Sequence, residues 1–346
     1  MKFWALLALL LAGWFAPGTV MVFGQETDRI LINVVGDIML GGSAMGTFEK
    51  SGYDYPFDET APYFRAGDVN FANLETPVTR EGEPIAGKQF TFRMSPDAVP
   101  SLAKVGFNLL SLANNHIMDY GEKGLAQTLS ILRAYHVGFS GAGPNEAQAR
   151  LPAVIRVKGK KIALLAYSAV LPASFYAGKD RAGTAFAFEE SLRSDIPLAR
   201  KESDFLIVSF HWGRELQSFP EEYQIRLAHR AIDLGADLIV GHHPHVLQGI
   251  EVYQGRPIFY SLGNFAFSSY SPSVHSSILA ELTLIGNRIE QIELIALNVY
   301  NPVVDVRPRV LSGEDAEAVI DEVTEASWPF GTSIGWEADR GWVILR

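Results

Sequence analysis

The chain has 346 residues, 48% hydrophobic and 20% charged, which excludes wholesale disorder and suffices for one large domain or a domain with a small appendage. A net charge of −10 argues against bulk nucleic-acid binding. Cysteine is absent, so disulfides, thiolate metal sites and thiol nucleophiles are excluded, and any transition-metal site must use His, Asp, Glu or Asn.

Segment 1–24 starts with Met1-Lys2 and then runs without charge from Phe3 to Gly24. This is the pattern of an export signal, with Val22-Phe23-Gly24 as a tolerable cleavage site. The same run is long enough to serve as a retained membrane anchor, although Pro17 interrupts it. On either reading the remainder is expected outside the cytoplasm, secreted or held at the outer face of the cytoplasmic membrane.

From residue 28 to about 300, strand and helix patterns alternate. Arg29 to Val35 reads as a buried strand ending at Gly36-Asp37, and Val69 to Leu74 as a second ending at Glu75. Ser95 and Pro96 start a helix to Val105, the serine capping and the proline in the first turn. Asn108 to Ala113 is a strand running into Asn114-Asn115-His116. Lys123 to His136 is an amphipathic helix with Leu125, Leu129 and Leu132 on one face. Ala153–Val157 and Ile162–Tyr167 form a hairpin. Phe205 to Phe210 is a strand ending at His211, and Tyr223 to Leu234 a helix closed by Gly235. Leu238 to Val240 leads into Gly241-His242-His243-Pro244-His245, which holds three of the eight histidines. Strands follow at 249–253, 257–261, 277–285 and 288–297, the last two joined by the turn Gly286-Asn287. Residues 170–186 and 265–276 read as long loops at the rim of a site. Residues 301–346 are expected to form a C-terminal extension packed on the domain, with a helix at 313–326.

Such alternation defines an α/β fold, in which ligands bind at the carboxyl ends of the strands. Each polar cluster falls at such an end. Two carboxylates, an Asn-His pair, a lone His and a His-x-His supply oxygen and nitrogen ligands for two divalent ions sharing one bridging group, roughly 3.5–4 Å apart. Ligand type leaves Mn, Fe, Zn and Mg all open.

The order Gly-Asp, Asn-His, His, His-x-His resembles the calcineurin-like metallophosphoesterases. The blocks GDIML (36–40), NLETPVT (73–79), SLANNHIMDYG (111–121), HWGRE (211–215), GHHPHVLQGIE (241–251) and YSLGNF (260–265) resemble more closely the capsule-synthesis CapA family, associated with poly-γ-glutamate capsules. The resemblance implies a two-sheet sandwich flanked by helices, a four-layer αββα arrangement. It places Asp37 and His245 on one metal, and Asn115, His211 and His243 on the other. Glu75 stands for the bridging carboxylate, and His116 for the histidine that protonates the leaving group. Met39 occupies a place where the broader superfamily has a histidine ligand, and His242, outside the His-x-His spacing, is expected to be structural. Lys88, Arg93 and Arg214 are the basic residues expected to bind an anionic substrate, with Asn264 beside the site. The function implied is metal-dependent hydrolysis of an anionic polymer such as poly-γ-glutamate, at a γ-amide or a phosphoester, within a membrane capsule-synthesis complex. The competing readings are a non-catalytic polymer-binding or assembly subunit and a secreted phosphoesterase.

Overall fold

In the computed structural model, which describes residues 29–345, the strand Arg29–Met39 is buried along nearly its whole length. An apolar run such as residues 30–35, interrupted only by the buried Asn33, is stable only where both sides are covered, and both are. Segment 1–24, read as signal or anchor, lies outside the described residues. Among those residues no helix is long and apolar enough to cross a membrane.

Arg29–Met39 lies in a ten-stranded sheet, parallel to Val69–Leu74 on one side and antiparallel to Ser276–Ile285 on the other. Leu109–Ser111 and Gly138–Ser140 extend the parallel part, and Arg288–Asn298, Arg340–Val343 and Ile334–Glu337 extend the antiparallel part. A six-stranded sheet has the order Ile250–Tyr253, Arg256–Phe259, Leu238–His242, Phe205–His211, Lys160–Ser168 and Ala153–Val157, with its four inner strands parallel.

Alternation along each strand sends successive side chains to opposite faces and so builds the layers. Ile30, Ile32 and Val34 of the first sheet meet Ile162, Leu164, Ile207 and Val240 of the second in a core between the sheets. The outer face of the first sheet, including Val35 and Leu110, packs under the helices Ala61–Ala66, Val99–Val105 and Gly121–Ala134 through Phe64, Leu102, Leu125 and Leu129. The outer face of the second, including Leu165, Leu206 and Val208, packs under Glu189–Glu202 and Glu222–Asp233. Helix, sheet, sheet and helix follow one another, the four-layer sandwich implied by the sequence blocks. Near the C-terminus, helix Gly313–Ser327 inserts Ala316, Val319, Ile320 and Val323 into the core between the sheets, and Arg340–Val343 pairs with Arg288–Asn298.

Several boundaries differ from those predicted. The first strand continues through Gly36-Asp37 to Met39 instead of ending at Val35, because Asp37 pairs in register with Asn73 and with Asn264. Asn264–Phe267, which overlaps the predicted loop 265–276, is a strand parallel to the first. Helix Glu189–Glu202 has no counterpart among the predicted elements; it carries Pro197 inside it and a highly charged outer face. The Ser95 cap is present, its side chain accepting from Asp97 N, but the first turn is 3-10 and the α-helix proper is Val99–Val105.

Gly36 makes the extended first strand possible. A Cβ there would lie 1.8 Å from Gly263 O, so no side chain fits between the two backbones. Gly36→Ala is expected to lower stability by at least about 1–3 kcal/mol, the usual range for overpacking, and to displace Asp37. Chemical denaturation of the variant beside Gly46→Ala, where nothing lies within 4 Å of an added Cβ, is the check; equal midpoints would show that the two backbones separate freely.

Candidate metal centre

The parallel strands of both sheets run toward the same end of the sandwich, and their termini carry the polar clusters. Asp37 and Asn73 are side by side in the first sheet, and His211 and His242 in the second. The loop after Leu238–His242 then turns His243 and His245 inward. Both hold positive φ, 97° and 61°, which non-glycine residues adopt only where the surrounding structure enforces it.

Among the described residues three triads of potential ligands result, each with its donor atoms within 4.8 Å of one another, and two of them are built on Glu75. One is Asp37, Glu75 and His245, and the other is Glu75, His211 and His243. Glu75 belongs to both. Asn115 Oδ1 lies 3.0 Å from His211 Nε2, beside the second triad. The structure thus brings together all six residues expected to hold metal. His116 sits at the edge of the same cluster, with its Nδ1 2.8 Å from Asp119 Oδ2.

Supporting side chains orient the ligands. Asn73 Nδ2 donates to Asp37 Oδ1 at 2.9 Å and to Glu75 Oε2 at 3.3 Å, and Asn114 Nδ2 donates to Asn73 Oδ1 at 3.0 Å. Asn264 Oδ1 lies 2.8 Å from His245 Nδ1, fixing the ring and leaving Nε2 for a ligand role. His242, expected to be structural, places Nδ1 3.1 Å from Asp37 Oδ1, though outside hydrogen-bonding geometry. Sequence reasoning passed over Asn73, Asn114 and Asp119 as ligand supports, although all three lie inside the quoted blocks.

The electrostatics are those of a cation site. Asp37 and Glu75 are both fully buried. Burial and the facing Asp37 push the Glu75 carboxyl well above the usual range. Burial acts on Asp37 in the same direction, but His242 and His245 overcome it and keep that carboxyl well below its usual value. His243 is pushed down to about 3 by burial and by His245. Burial and His243 likewise hold His211 well below its ordinary value. Burial opposes protonation of His245, yet Glu75 and Asp37 raise it to about 9. Glu75 Oε1 and His243 Nδ1 are buried without a hydrogen-bond partner. Such atoms are costly unless something binds them, and two carboxylates with His211 and His243 held neutral are a donor set for divalent ions, to which His245 adds a nitrogen once a cation displaces its proton. The residues fit the group.

The basic residues separate. Lys88 is largely buried; its ammonium pairs with Asp119 and lies 3.1 Å from His116 Nδ1, so it braces the His116–Asp119 pair. Burial lowers its pKa despite Asp119. Arg93 and Arg214 are not drawn into the cluster. Arg93 lies over the Tyr120 ring, 4.9 Å from its centroid, in a separate depression of about 540 Å3. Arg214 is exposed and pairs with Glu221 at 3.0 Å. The cleft over the cluster, about 420 Å3, is lined instead by His116, His245, Glu215, Phe92, Phe267 and Ser268, among others.

Fold and site together define a four-layer α/β domain with a buried carboxylate–histidine cluster at its strand ends. The chain belongs to the family described as bacterial capsule synthesis protein PGA_cap, which matches residues 31–269. It is 33% identical to the PGA biosynthesis protein CapA of Bacillus subtilis (strain 168), over 91% of this chain and 81% of that protein. It is also 33% identical to the capsule biosynthesis protein CapA of Bacillus anthracis, over 80% of this chain and 69% of that one. Among solved structures, the NAD nucleotidase of Haemophilus influenzae matches with a TM-score of 0.48 at 12% identity, covering 86% of this chain and 62% of that one.

Proposed function

We propose that this protein is an extracytoplasmic, metal-dependent hydrolase that acts on an anionic polymer, poly-γ-glutamate being the leading candidate, during capsule synthesis. The observation that carries the reading is Glu75, a fully buried carboxylate shared by two ligand triads beside the cleft that holds His116. The names of the Bacillus relatives support the polymer, and the uncharged run 3–24 supports export.

Asp37, Glu75 and His245 would hold one divalent ion, and Glu75, Asn115, His211 and His243 the other. Bound there, such ions polarise the scissile group and lower the pKa of water. The protein's own residues do the rest. Asn73 fixes both carboxylates, and Asn264 holds the ring of His245. The short contact of His116 Nδ1 to the Asp119 carboxylate assigns that nitrogen as the donor, so the protonated ring would pass its second proton from Nε2 to the departing amine or alkoxide and return to the neutral Nδ1–H form.

The test is to measure metal by elemental mass spectrometry in the purified full-length protein, then supply γ-glutamyl polymer and simple phosphoesters with Mn, Fe, Zn or Mg. The expected result is bond cleavage that requires a divalent ion and stops with chelator. Polymer binding without cleavage under every metal would overturn the hydrolase and leave an assembly subunit.

A further inference from the structure

One carboxylate near the cluster is left unused by this scheme. Glu215 is exposed and lies on the loop after Phe205–His211, and it places an oxygen within 4.8 Å of ligand atoms of His243 and His245. Among the described residues no Lys or Arg pairs with it, and its neighbour Arg214 is taken by Glu221. The position is built. Leu216 N donates to Pro244 O at 2.9 Å, tying the Glu215 loop to the turn that carries both histidines. Gly213 N donates to Tyr223 Oη at 2.6 Å, and Gln248 Nε2 donates to Gln217 O at 2.8 Å. Leu216 holds a φ of 61°, so a third non-glycine residue with positive φ sits in these two touching loops. His243, one of the two histidines beside the carboxylate, has its Nδ1 buried without a partner.

The ligand count points the same way. Asp37, Glu75 and His245 supply three residues to one ion, one of them shared, whereas Zn takes at least four ligands and Mn or Mg about six. Glu215 is exposed and lines the cleft with His116 and His245, the open side from which an oxyanion would reach the cluster.

We infer that Glu215 is an exchangeable ligand: it takes a coordination position on the ion held by Asp37, Glu75 and His245, and yields it to a carboxylate or phosphate oxygen of the substrate. The inference rests on the metal-centre reading above and deepens it. It makes the substrate's own oxyanion, rather than a cationic side chain, the group recognised at the cluster. That agrees with Arg93 and Arg214 lying outside it.

The experiment uses full-length protein and its Glu215→Gln and Glu215→Ala variants, titrated with Mn2+ by calorimetry and followed by the electron paramagnetic resonance of bound Mn2+. Both variants should still bind Mn2+ at two sites, because the buried ligands remain, with one affinity weakened about 10–100-fold and an altered spectrum. Inorganic phosphate and a short γ-glutamyl peptide, titrated separately into the Mn2+-loaded variants, should bind about tenfold more tightly than to wild type, since no placeholder competes. Tightening for one probe alone would name the oxyanion. Weaker Mn2+ with unchanged affinity for both probes would make Glu215 a fixed ligand and overturn the exchange. Unchanged Mn2+ affinities and spectra would overturn the inference while leaving the metal centre standing. A wild type that binds no Mn2+ would remove both.

Discussion

Glu75→Gln is expected to abolish tight binding of both ions at once. The metal content of purified protein should fall from about two ions per chain toward none. No other residue belongs to both of the buried triads built on Asp37, His211, His243 and His245, so its loss should be felt at both. An amide keeps the shape but offers a weaker, neutral oxygen, and its NH2 cannot bind a cation. The metal-free variant should fold at least as well as metal-free wild type, because it no longer forces a second carboxylate into the dry space beside Asp37. Wild type should gain stability with added metal, by about 4 kcal/mol per site at a thousandfold excess over Kd, and the variant should gain almost nothing. Thermal melts with and without metal, paired with elemental analysis, measure both parts. Two ions retained at wild-type affinity would show that Glu75 is not shared, and the two triads would then have to be assigned separately.

The contrast between legible and illegible parts of this chain follows from range. A strand buried on both faces announces itself locally, as a nearly continuous apolar run, and FLIVSF and LIV are such runs. Where these runs stop at Asp, Asn or His, the stop itself marks a site at strand ends, and all six expected ligands do converge there. Asn264–Phe267 carried no such mark. Gly263-Asn264 is a turn-like dipeptide, and only the parallel pairing with Asp37 and Met39 makes the segment a strand. Helix Glu189–Glu202 was hidden for a different reason. It has an interior proline, and its buried face is small, with Ser191, Leu192, Ile196 and Ala199 against the sheet.

The basic residues show the limit of a sequence reading most clearly. Lys88, Arg93 and Arg214 look alike as free cations near ligand blocks. Their partners decide their use, and Asp119 and Tyr120 lie some distance away in sequence. Glu215, by contrast, was visible within HWGRE but has no local signal separating it from a solvated turn residue. Long-range contacts such as the hydrogen bonds of Leu216 to Pro244 and of Trp212 to His242 bring it to the histidines.

His116→Ala should leave both ions in place and reduce turnover about 10²–10⁴-fold, the usual loss for a positioned proton donor. His116 belongs to neither triad, and its Nδ1 is engaged by Asp119, so its removal takes no ligand from the cluster. Burial lowers its pKa and Asp119 only partly offsets this, so the ring gives up a proton readily once it is charged. The defect should depend on the leaving group. With an unactivated γ-amide or alkyl phosphoester, the departing nitrogen or oxygen needs a proton and the loss should be large. With an aryl ester, whose phenolate leaves without one, the variant should approach wild-type rate. Asp119→Asn is a poorer probe, because it strands the largely buried ammonium of Lys88 and is expected to lower stability by about 3–5 kcal/mol before any effect on chemistry is read. An equal loss on amide and aryl substrates, with metal content unchanged, would show that His116 orients substrate instead of moving a proton. Loss of an ion in His116→Ala would move the residue into the metal set and leave the proton donor to be found elsewhere in the cleft, where Glu215 and Tyr270 are the remaining titratable side chains besides the ligand His245.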